Sequence, residues 1–72
     1  MSEVMTWEND FLSDRWELHR ANGELLAVVD ATGKTYGTGK KRRKEWGIYN
    51  RVGTLVATRL VFEDAQSLAA TL

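Results

Sequence analysis

Five consecutive cations, Lys40-Lys41-Arg42-Arg43-Lys44, are the densest concentration of chemistry-bearing side chains in this 72-residue chain. Ammonium and guanidinium groups this close together neutralise neighbouring phosphates. Each phosphate contacted releases a condensed counterion, so a run of this kind favours polyanion binding that weakens as salt rises. Lys34 and Arg51 lie nearby in sequence, and Tyr36 and Trp46 flank the run, offering rings on which an unpaired base could stack. The candidate nucleic-acid contacts are therefore Lys40, Lys41, Arg42, Arg43 and Lys44, with Arg51 assisting. Two other roles compete: a connector without a partner, kept extended in solvent by like charges or paired with the chain's own acidic N-terminal third, and a dock for an acidic protein surface.

The charge distribution sharpens that competition. Lysines and arginines equal aspartates and glutamates in number, so net charge is zero. Residues 1–32 nevertheless hold seven acids against Arg15 and Arg20, a balance of −5, while residues 33–51 hold seven cations against Glu45, a balance of +6. The remainder, with Arg59, Glu63 and Asp64, contributes −1. A partner meets these local fields over roughly 8–10 Å at ordinary salt rather than the vanishing total.

Catalytic patterns fail on inspection. The string Thr32-Gly33-Lys34-Thr35 suggests a phosphate loop, but the glycine required five positions before Gly33 is Val28, and Tyr36-Gly37-Thr38-Gly39 cannot begin the helix such a loop needs. The chain has one histidine, His19, and no cysteine, and its carboxylates show no metal-site spacing, so neither a metal nor another cofactor is expected. Ser13 and Ser67 have no histidine partner in register. Glu17 and Glu24 fall on different parts of one hairpin, and the expected class is a non-enzymatic binding protein.

A thirty-residue repeat supplies the elements that must position these groups. Trp16-Glu17-Leu18-His19-Arg20-Ala21-Asn22-Gly23-Glu24-Leu25-Leu26-Ala27 returns as Trp46-Gly47-Ile48-Tyr49-Asn50-Arg51-Val52-Gly53-Thr54-Leu55-Val56-Ala57. Each copy reads as a strand, a tight turn and a return strand. Asn22-Gly23 is the favoured pair for a two-residue type I′ turn, which would place Arg20 opposite Leu25, His19 opposite Leu26 and Leu18 opposite Ala27, with Trp16, Leu18, Ala27 and Val29 on one face. The same register in the second copy places Tyr49 opposite Val56 and gathers Trp46, Ile48, Leu55 and Ala57. Val52 resists positive φ, so a type II turn or a longer loop through Arg51 is equally admissible there. His19 and Tyr49 are equivalent, which suits a cross-strand packing position.

These elements predict an α+β fold. Two hairpins, over 15–30 and 45–62, form a small antiparallel sheet of about four strands, and a helix over 63–72 covers its Trp-bearing face through Ala65, Leu68, Ala69 and Leu72. Glu63 and Asp64 suit that helix's N-terminal end. Val4, Trp7, Phe11 and Leu12 have helical spacing, so residues 1–14 read as a short helix, with an arm or edge strand as the competitor. Residues 31–44 read as a Gly/Thr-rich and basic connector containing at most a short strand at Lys34 to Tyr36.

The length suits one small domain. The longest uncharged apolar stretch, Leu25 to Val29, is far short of a membrane span, and the N-terminus is acidic where a secretory leader is basic. A cytoplasmic protein with no membrane association is the expectation. Its partner would be DNA or RNA through the basic connector. The alternative is a protein-interaction or regulatory module, either a homodimer joined through a strand edge or an inhibitor of a partner, with no role in nucleic-acid binding.

Overall fold

Both repeat copies end in the same local structure, and it differs from the type I′ expectation. The Arg20 carbonyl accepts from the Gly23 N–H and the Arg20 N–H donates to Glu24 O, both at 2.9 Å; Asn50, Gly53 and Thr54 repeat the pair at 3.0 Å. Each loop therefore has three residues rather than two: a type I turn followed by a glycine in the left-handed region. Gly23 and Gly53 have φ of 88° and 87°, and no described non-glycine residue has positive φ. Val52 is thus spared the conformation it resists, and the loop through Arg51 is the form adopted. Asn50 stabilises its turn by accepting from the Val52 and Thr54 N–H groups at 3.1 and 2.9 Å.

The computed structural model describes residues 5–9 and 12–72. Five strands run β1 Met5–Asn9, β2 Trp16–Arg20, β3 Leu25–Tyr36, β4 Arg43–Asn50 and β5 Leu55–Arg59, followed by helix α1 Phe62–Ala69. They form one antiparallel sheet in chain order. The α+β expectation holds, with five strands instead of about four. The additional strand is β1, where a short helix was expected. Trp7 pairs with Leu18 and packs against the core, which an edge strand achieves without the long apolar stripe that a stable helix requires. Val4 and Phe11, on which the helical spacing also rested, lie outside the described residues.

In both hairpins the longer turn shifts the pairing by one residue, and a bulge restores it. Leu18 pairs with Ala27, Glu17 with Val28 and Trp16 with Val29 as the repeat predicts, but His19 pairs with Leu25 rather than Leu26. Likewise Ile48 pairs with Ala57 while Tyr49 pairs with Leu55 rather than Val56. The slip moves Leu55 off the Trp46 face, and it is 50% exposed instead of joining the core.

The core lies between the sheet and α1. Leu18, Ala27, Val29, Ile48, Ala65 and Ala69 are buried together, with Trp7, Trp16, Leu26, Trp46, Ala57, Phe62 and Leu68 packed around them. Small alanines on the sheet and the helix permit this close approach. Phe62 stands between the two repeated tryptophans, its ring centroid 5.3 Å from Trp16 and 4.7 Å from Trp46. Tilted contacts of this kind add about 0.5–1.5 kcal/mol each beyond area burial. The helix starts at Phe62 and ends at Ala69, short of the expected Leu72, which is 48% exposed. Among the described residues no helix is long and apolar enough to cross a membrane.

The stretch expected to be a connector loop is mostly strand. β3 is 12 residues long whereas β2 and β5 have five each. Its pairing with β2 ends at Val29, and β5 leaves β4 at Trp46, so beyond Ala31 and Trp46 the β3–β4 hairpin continues as a two-stranded ribbon. Strands rise about 3.3 Å per residue, so β3 alone spans roughly 35–40 Å. The molecule is correspondingly elongated, at 43 × 24 × 22 Å.

Candidate polyanion interface and a carboxylate–histidine cluster

The ribbon is anchored at its base by Glu45. There the pairing passes from Ala31–Trp46 to Thr35–Lys44, so Thr32, Gly33 and Lys34 oppose Glu45 alone. Gly33 takes φ of 92° in this bulge, a conformation that costs other residue types. Thr32 Oγ1 donates to one Glu45 carboxylate oxygen at 2.8 Å, and the Tyr36 hydroxyl donates to the other at 2.9 Å. Both hydrogen bonds favour the ionised acid. Thr32 first and Tyr36 second hold the Glu45 carboxyl below the ordinary range, while Glu45 in turn raises the Tyr36 phenol.

This arrangement predicts a pH dependence of definite sign. A carboxyl whose folded pKa is depressed stabilises the fold fully above its unfolded value near 4.5, and that contribution disappears as pH falls through the lower folded value. Thermal melts of wild type and Glu45→Gln should therefore differ most near neutrality, and the difference should shrink in acid. A difference that stays constant from neutral pH to below the carboxylate range would contradict the assignment.

At the ribbon's tip, Gly37–Arg42 link the paired residues Tyr36 and Arg43, with a single 3-10 turn over Gly39–Lys41. Gly37 makes this compact loop possible. Its φ is 85°, and a Cβ there would lie 2.7 Å from the Lys41 carbonyl oxygen. Lys40, Lys41, Arg42, Arg43 and Lys44 are all exposed. Lys44 pairs with Asp14 at 3.0 Å and lies 6.0 Å from the Trp46 ring centroid. Lys40, Lys41, Arg42 and Arg43 make no ion pair with a described residue. Within the run, compensation by the acidic N-terminal segment is therefore confined to Lys44 among the described residues; Glu3 and Asp10 lie outside them, and Glu8 faces His19.

Arg51 is not brought to the run. It follows β4 at the far end, so the eight residues of that strand, about 25 Å at the usual rise, separate it from the basic tip. Its guanidinium instead meets Glu24 at 3.4 Å. The two aromatics also part company. Trp46 is committed to Phe62 and the core, whereas Tyr36 is 45% exposed on the ribbon.

The face of the sheet opposite α1 carries a second arrangement. Glu8 on β1 pairs directly with Glu17 on β2, and His19 lies two residues along on the same face. His19 Nε2 is 3.0 Å from Glu17 Oε1 and 3.6 Å from Glu8 Oε2. Arg15 holds the other Glu17 oxygen at 3.0 Å. The hydrogen bonds from Arg15 and then His19 lower the Glu17 pKa, and the Gly23 carbonyl followed by Glu17 raises that of His19. One-dimensional spacing does not disclose this trio, because Glu8 joins it only through β1–β2 pairing. The available signal is period-two alternation, with Trp7 inward and Glu8 outward. Beside it, a hollow of about 490 Å³ runs from Arg15 across Leu25, Val28 and Tyr49 to Val52. Comparison with protein-family models, with curated proteins and with solved structures finds no match to this chain.

Proposed function

We propose that this protein is a non-enzymatic nucleic-acid-binding protein that grips phosphate with the tip of its β3–β4 ribbon. The observation that carries the reading is the set of four adjacent cations, Lys40, Lys41, Arg42 and Arg43, without an ion-pair partner among the described residues, on a two-stranded projection anchored through Glu45. A two-stranded ribbon is narrow enough for a duplex major groove, roughly 12 Å wide, and Tyr36 offers a partly exposed ring to a single-stranded base. The contact set is Lys40, Lys41, Arg42 and Arg43 with Lys34 and Lys44 behind them; Arg51 is left out because of its position. A chain without cysteine suits a cytoplasmic setting for this role. The test is a binding titration against duplex DNA, single-stranded DNA and RNA, comparing the intact chain with a variant in which those four cations are alanine. Failure of the intact protein to bind any of the three at low salt ends the proposal.

One observation favours a second reading, self-association through β5. This strand occupies a sheet edge, and Val52, Leu55, Val56, Leu60 and Val61 around it are 77, 50, 46, 42 and 37% exposed. An edge that carries apolar side chains and free main-chain groups is suited to antiparallel pairing with a second copy. Light scattering should then report a dimer that survives high salt and is dispersed by Val56→Lys. A monomer at all concentrations discards this reading without affecting the first.

A further inference from the structure

We infer that Glu8, Glu17 and His19 form a binding site for a divalent transition-metal ion, of which zinc is the representative probe. Their ligand atoms lie within 4.8 Å of one another. The separations from His19 Nε2 to the two carboxylates, 3.0 and 3.6 Å, bracket the roughly 3.3 Å expected between tetrahedral ligands placed 2.0–2.1 Å from zinc. Imidazole and carboxylate together suit zinc and its first-row neighbours better than the all-oxygen preference of calcium or magnesium.

The surroundings of His19 point the same way. Its Nδ1 is 3.1 Å from the Gly23 carbonyl oxygen, so Nδ1 carries a proton and donates it. Metal-bound histidines are oriented in the same manner, the outer nitrogen bonded to a carbonyl while the inner one faces the ion. Here Nε2 is aimed at two carboxylates. It must present either a proton or a metal between itself and these acceptors. Arg15 occupies Glu17 Oε2, so Oε1, which faces His19 Nε2, is the oxygen positioned for single-oxygen ligation once a metal replaces the proton between them. The Glu8 side chain is 66% exposed, and a hollow of about 240 Å³ lined by Glu8, Asn9, Arg15 and Glu17 leaves room for water to complete the coordination.

The repeat acts as an internal control. At the positions of Glu17 and His19 the second hairpin has Gly47 and Tyr49, and a Cβ on Gly47 would lie 3.0 Å from the Tyr49 ring. That hairpin nevertheless forms the same turn and the same bulge. Glu17 and His19 are therefore not required by the hairpin scaffold. Two glutamates directly opposite one another also repel, and a cation bound to both would offset that cost.

Calorimetric titration of the intact chain with zinc tests the site. One ion per chain is expected, with at least ten-fold weaker binding in Glu8→Gln and none in His19→Ala. The double variant Glu17→Gly, His19→Tyr transplants the second hairpin's face onto the first; it should keep its circular dichroism spectrum and lose zinc. Cobalt should give the intact chain visible absorption bands that zinc displaces. Absence of zinc uptake by the intact chain, or undiminished uptake by His19→Ala, shows that a proton alone occupies the position and overturns the inference.

Discussion

Replacing Ile48 with alanine is expected to cost about 2–5 kcal/mol and to leave much of the population unfolded under conditions where wild type is native. Ile48 is 0% exposed on β4, paired with Val29 on one side and Ala57 on the other, beneath α1. No neighbour can readily fill the void, because the residues facing it are already packed and several are alanines with no side chain to extend. A chain of this length has roughly 4–11 kcal/mol of stability at the usual 0.05–0.15 per residue, so one such cavity consumes a large part of it. Leu18, 1% exposed and equivalent in the repeat, should behave alike. Val52→Ala, at 77% exposure, should change little. Urea unfolding of the three variants decides the matter: a loss below about 1 kcal/mol for either buried position would mean that the sheet–helix packing is wrong.

The second large effect concerns salt. Each phosphate neutralised contributes about 0.9 to the logarithmic salt slope on duplex DNA and about 0.7 on a single strand, so four engaged cations give a slope of roughly 3 to 3.6. Each doubling of salt should then weaken binding by about ten-fold. Substitution of Lys40, Lys41, Arg42 and Arg43 together should remove nearly all of this slope. Lys44→Ala alone should remove less than one cation's share, because Lys44 is already engaged by Asp14 at 3.0 Å and must give up that pair to reach phosphate. An Arg51→Ala variant should match wild type. If Arg51 proved as important as the run, the contact surface would have to lie at the β4–β5 turn instead.

Much of the sheet was legible because its signals are local. The repeat, the two glycine turns and the alternation of Trp16, Leu18, Ala27 and Val29 each depend on neighbouring residues, and they located both hairpins and their buried face. The ends of those hairpins are less legible, because Asn22-Gly23 fits both a two-residue turn with two positive φ angles and a three-residue turn with one. Only the bulge at Leu25–Leu26, which reconciles the longer turn with the same core register, distinguishes them. In β1 the apolar residues were too few to separate a period of two from one of 3.6, and pairing with β2 decided the outcome. The glycines of residues 33–39 suggested a loop, yet one is absorbed in a bulge and two shape the tip of a ribbon.

For the sites, the basic run was plain in sequence, but its isolation from Arg51 depends on the length of β4. The Glu8–Glu17–His19 trio was hidden for the same kind of reason. Its members are recruited by strand pairing across a turn, a relation that residue spacing alone does not encode.

The paired turn and bulge also bear on how this scaffold tolerates change. A one-residue lengthening at the hairpin end is cancelled within two pairs, before it reaches Leu18 or Ile48. The loops Ala21-Asn22-Gly23 and Arg51-Val52-Gly53 thus differ in charge and bulk while the pairing below them is identical. The bulges work as expansion joints: loop composition is free to drift, or to be exchanged in a library, with the body of the sheet insulated from the variation.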